Sequence, residues 1–137
     1  MPLWLRLAAL PIAIALILWL PLEDVGIRSV YLLSAGISAW WAARLIANTS
    51  AGQRRFSIRH IMVGAAAGIA VTPLALLLMV FKSGLHGHGS PDFTLGQMQA
   101  VVLRTPVWVV AGSLLGWGVA IARLALHERS RENFAEN

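Results

Sequence analysis

His60-Ile-Met-Val-Gly-Ala-Ala-Ala-Gly-Ile-Ala-Val-Thr-Pro-Leu-Ala-Leu-Leu-Leu-Met-Val-Phe81 decides the fold, because no Asp, Glu, Lys or Arg interrupts it. An α-helix needs about 20 such residues to cross the hydrocarbon core of a bilayer, and this run supplies them. Within it, Gly64-Ala-Ala-Ala-Gly68 has the GxxxG spacing, and its stripe of small residues continues to Thr72. Such a stripe lets the backbone of a second helix approach closely. Pro73 has no N–H to reach back one turn, so a bend is expected there.

Moving outward, Asn48 to Arg59 is polar, flexible and basic, with Arg54, Arg55 and Arg59 near its end and Ser57 placed as an N-cap. On the other side lies Phe81-Lys-Ser-Gly-Leu-His-Gly-His-Gly-Ser-Pro-Asp-Phe-Thr94, the longest polar interruption on its side of the chain. His86 and His88 alternate with glycines, so an extended backbone points both imidazoles the same way, and Asp92 follows past Pro91. Two histidines and a carboxylate are a candidate site for Zn²⁺ or another divalent ion, with water completing the shell. The structural alternative is that the glycines turn the loop over the helix ends while the histidines bond to backbone carbonyls or water. Lys82 and Arg104 are the remaining polar contacts expected of this loop.

The same apolar density extends over the whole chain. Of 137 residues, 58% are hydrophobic and 12% charged, more apolar surface than one soluble core of this size hides. The fold expected is therefore an all-α integral membrane protein with four transmembrane helices, at about 3-22, 27-47, 60-81 and 106-126. A short interfacial helix at about 95-104 is expected to lie along the membrane surface, opened by a Thr94-Leu-Gly-Gln97 capping box. Residues 1-126 form one domain on this reading, and 127-137 a polar tail that frays.

Helix packing has two further sequence markers. Gly112, Gly116 and Ala120 give the last span its own GxxxG stripe, and if it faces Gly64, Gly68 and Thr72 the two backbones approach closely. In the second span, Ala35, Ala39 and Ala43 recur every fourth residue beside Ser34, Ser38 and Ala42. Trp40 and Trp41 read either as interface anchors or as bulk against lipid.

Sidedness follows from the basic residues, which are retained on the cytoplasmic side. With both termini inside, eight of the 11 Lys and Arg are cytoplasmic, leaving Arg28, Lys82 and Arg104 outside. Loop 82-105 is then expected on the periplasmic, exterior or lumenal face. The net charge of +5 is accounted for by this topology, so no nucleic-acid partner is expected.

Absences narrow the function. Without cysteine there is no disulfide, thiolate metal site or thiol chemistry. No nucleophile elbow, Walker A loop, HExxH or dinucleotide fingerprint is present, so an enzyme is not expected. Glu23, Asp24 and Asp92 fall in loops, while Arg44, Lys82, Arg104 and Arg123 lie near helix ends where their stems snorkel. A proton-coupled exporter needs an ionisable group inside the membrane, and on this reading none is there. What remains is a small membrane protein acting as an accessory, assembly or scaffolding subunit of a larger complex, or as a homo-oligomer. The alternative is a small transport or metal-handling protein that uses the His-Gly-His loop.

Overall fold

The computed structural model describes residues 3–22, 26–47, 53–86 and 92–135. Among these it has five α-helices and no strand: α1 (Leu3–Trp19), α2 (Ile27–Ala47), α3 (Gln53–His86), α4 (Leu95–Leu103) and α5 (Thr105–Ala135). Three are long and apolar enough to cross a membrane, through Ile27–Ala47, Ile58–Leu85 and Thr105–Leu126. α1 is apolar but has 17 residues, about 25 Å at a rise of 1.5 Å per residue, short of the full ~30 Å core.

α3 is the axis of the molecule, and α5 runs antiparallel along it at very short range. A Cβ built on Gly64 would lie 2.9 Å from the carbonyl carbon of Gly112 and 3.2 Å from the Cα of Gly116. On Gly68 it would lie 2.7 Å from the carbonyl carbon of Trp108, and on Gly116 2.9 Å from that of His60. Backbone therefore rests on backbone at three successive turns, which only glycine permits. Ala120 is fully buried one turn further on, and His60 is 1% exposed beneath Gly116.

α2 packs on the bundle with the Ser34, Ser38 and Ala42 side of the small face read from its sequence. Val30, Ser34, Ser38, Ala42 and Ile46 are buried, whereas Ala39 is exposed and Ala35 and Ala43 are half-buried. Ser34 tolerates burial because its hydroxyl donates to the Val30 carbonyl at 2.7 Å. α1 is held at the periphery, exposing Leu7, Leu10, Ile14, Ile17 and Leu18. Leu5 is its buried anchor at one end, and the Trp40 indole N–H donates to the Leu5 carbonyl at 2.8 Å. Trp40 is thus a tie between helices, with the Arg44 guanidinium 5.7 Å from its ring centroid.

Several boundaries differ from the sequence expectation. Ser57 lies inside α3, which begins at Gln53, so it is not the N-cap. α3 passes through Pro73 and continues to His86. Residues 127–135, expected to fray, continue α5 as helix, in keeping with the helix-forming Arg and Glu they carry.

α4 is present at Leu95–Leu103 and touches the bundle through Val101, its one buried residue, leaving Leu95, Val102 and Leu103 exposed. Phe93 and Val101 share one buried cluster with Val71, Ala75 and Met79 of α3, Trp19 of α1, and Val30 and Tyr31 of α2. Burying these apolar side chains against the part of α3 beyond Thr72 outweighs solvating them.

Candidate functional site

The polar stretch is described only at its two ends. His86 is the last residue of α3 and Asp92 is half-buried just before Phe93, while His88 lies outside the described residues. Among the described residues no three His, Asp or Glu side chains come together as a metal site.

Lys82 requires a correction. It was expected in a loop or snorkelling from a helix end, but it lies within α3 and is 0% exposed, the largest fully buried side chain described. Its Nζ is 4.1 Å from the ring centroid of Trp19 and donates to the Trp19 carbonyl at 3.5 Å. The aromatic face is negative, so the ammonium is attracted to it, and the (CH₂)₄ stem is buried along with it. The cation therefore fastens the end of α1 to α3.

Arg104 is likewise not in a loop. It is the C-cap of α4, its N–H bonded back to Val101 and Val102, and α5 begins at the next residue. The break has a local cause. Pro106 has no N–H for the Val102 carbonyl four residues earlier, and the Thr105 hydroxyl takes that place, donating to Val102 O at 2.6 Å. With its one hydrogen so used, Thr105 accepts from the Thr72 hydroxyl at 2.8 Å. Thr72 precedes Pro73 just as Thr105 precedes Pro106, so two Thr-Pro steps on antiparallel helices meet. That shared dipeptide is the signal in the sequence that pairs them, and the reading from periodicity alone passes over it.

This contact fixes the height of the break. Thr72 lies at the middle of the apolar stretch Ile58–Leu85, so Arg104 is about 15 Å along α3 from Lys82. The guanidinium of Arg104 is 5.6 Å from the centroid of the Tyr31 ring, and the ring of Trp108 packs on Tyr31 at 5.5 Å, tilted by 43°. Arg104, Tyr31 and Trp108 form one stack at the level where α4 gives way to α5.

At the start of α4 the capping box is present in both halves. Thr94 Oγ1 accepts from the backbone N–H of Gln97 at 3.2 Å, and Gln97 Oε1 accepts from the backbone N–H of Thr94 at 2.8 Å. Thr94→Ala is expected to cost about 1 kcal/mol. Amide hydrogen exchange should quicken in the first turn of α4 and stay unchanged in α3; equal rates in variant and parent would count against the cap. Compared with family models, curated proteins and solved structures, the chain matches none of them.

Proposed function

We propose that this chain is a non-enzymatic membrane protein that acts as an accessory, assembly or scaffolding subunit of a larger membrane complex. In this reading α1 is a fourth span, Leu20 and Leu22 extending its short helix towards crossing length, and both termini lie on the cytoplasmic side with most of the arginines. The observation that carries it is a second small-residue stripe on α5. Gly118, Ala122 and Ala125 follow one another at helical spacing and are all exposed, and a Cβ on Gly118 would meet nothing within 4 Å. This face points away from the one zipped to α3, and a stripe of this kind is suited to the close approach of another protein's helix.

The test separates the face from the fold. In mild detergent the parent chain should travel with larger proteins, and Gly118→Leu should release it without lowering its unfolding temperature. Recovery of the parent only as a discrete monomer or dimer rejects the reading.

A further inference from the structure

Three side chains that can donate hydrogen bonds meet where α4 gives way to α5, and none of them has an acceptor. The Arg104 guanidinium and the Trp108 ring lie 5.6 and 5.5 Å from the centroid of the Tyr31 ring. Tyr31 is 7% exposed, yet its hydroxyl is buried without a hydrogen-bond partner among the described residues, and so is Trp108 Nε1. The guanidinium touches the ring face and has no ion pair or hydrogen bond among those residues. Asp92 is too far to serve it, since the nine residues of α4 between them rise about 14 Å. Arg28, exposed one turn before Tyr31 on α2, adds a second positive charge at the same end.

Such a set calls for an anion with several acceptor oxygens. A carboxylate has two oxygens in one plane, which a single guanidinium fork occupies. The tetrahedral oxygens of a phosphate meet the fork and still leave acceptors for a phenol and an indole. Arg104 is exposed, so its side chain is free to move and admit an oxygen to the two buried donors. An apolar slot of about 360 Å³ between α2, α3 and α5 also reaches Trp108, but its walls carry no charged side chain and it takes no part in the site.

The depth suits a headgroup. The apolar stretch of α3 has 28 residues and, at about 42 Å, overruns a ~30 Å hydrocarbon core, so the shorter spans set the level. α2, with 21 residues, just fills the core, which puts Tyr31 about 6 Å inside its end. The span of α5 begins at Thr105, the residue after Arg104. Both helices therefore place the guanidinium near the edge of the core, within snorkelling reach of lipid phosphates. Leu103 and Val107 are 71% and 67% exposed on either side of it, a surface suited to acyl chains.

We propose that Arg104, Tyr31 and Trp108 bind a negatively charged phosphate group, with Arg28 adding to the attraction. An anionic phospholipid brings this group to the site in a bilayer; free phosphate has the same chemistry. The site is about 21 Å along α5 from Gly118 and does not depend on the subunit role of that face.

The test offers the purified full chain in detergent equal amounts of phosphatidylglycerol and phosphatidylcholine with the same acyl chains, and counts retained lipid by native mass spectrometry. Phosphatidylglycerol should be retained in preference, roughly tenfold less tightly by Arg104→Gln and fivefold less by Tyr31→Phe. Arg104→Lys should recover part of the loss, as it keeps the charge without the fork. Tyr31→Phe should not lower the unfolding temperature, because its hydroxyl has no bond within the fold to lose. If the two lipids are retained equally but inorganic phosphate, against chloride at equal ionic strength, raises the unfolding temperature of the parent and not of Arg104→Gln, the source is free phosphate. Neither response in the parent would overturn the proposal. So would an equal loss on replacing Arg6, an exposed arginine of α1, or an Arg104→Gln protein that is less stable yet retains lipid as the parent does.

Discussion

Replacing Gly64 with alanine is expected to destabilise the protein, whereas the same replacement at Gly118 is expected to stabilise it. Both are helical glycines, and alanine in a helix interior gains roughly 0.5–1 kcal/mol from backbone entropy alone. At Gly118 nothing opposes that gain, since the added methyl would meet no atom within 4 Å. At Gly64 the methyl would meet the carbonyl carbon of Gly112 at 2.9 Å and the Cα of Gly116 at 3.2 Å. Those atoms are backbone and have no rotamer to adopt, so α3 and α5 must separate along their length. Overpacking of this kind costs about 1–3 kcal/mol, and a rigid neighbour puts Gly64→Ala at the upper end; Gly64→Leu should prevent folding. Unfolding of the purified chain in detergent, followed by tryptophan fluorescence, gives the check. A Gly64→Ala protein as stable as the parent would show that the two backbones are not in contact.

Lys82 carries the second large effect. Lys82→Met keeps most of the buried stem and loses the ammonium over Trp19, so the expected cost is about 1–2 kcal/mol, the range of a desolvated cation–π contact. Lys82→Ala also removes the fully buried stem and leaves a cavity beside Trp19, for about 3 kcal/mol or more. Lys82→Glu sets a negative charge against the ring face and the Trp19 carbonyl, and should not fold. The loss should be felt first in α1, which exposes most of its apolar side chains and is tied down by Leu5, Trp40 and Trp19. Hydrogen exchange at residues 14–19 in Lys82→Ala should therefore rise well before it rises in α3. Uniform loss of protection over both helices would mean that Lys82 supports the whole core and not the α1 attachment.

The legible and illegible parts of this chain divide by the range of the interactions involved. The capping box at Thr94 and Gln97 is contained within four consecutive residues, and the structure has it as the spacing predicts. The glycines of α3 and α5 are readable as stripes because the helical period sets which residues share a face. That the two stripes meet each other is a tertiary fact, since a second copy or another protein would satisfy each equally well. The apolar face of α4 suits a lipid surface and a helix side alike, and the contact of Val101, with Phe93 before it, against α3 is a tertiary fact that its nine residues do not encode.

By itself, then, the sequence determined that the chain is helical and apolar over lengths that cross a membrane, where its small-residue faces lie, and that thiol chemistry is absent. These follow from composition and short-range periodicity, which act within one turn or one span. The tertiary structure alone decided that Lys82 is buried under Trp19, 63 residues away in sequence, that the Thr72 and Thr105 hydroxyls join two Thr-Pro steps, and that α2 and α5 leave a slot between them. Each of those depends on how far apart helices are held and on which side chains a distant segment presents. No local pattern encodes that distance, because it is set by the close packing of the whole bundle.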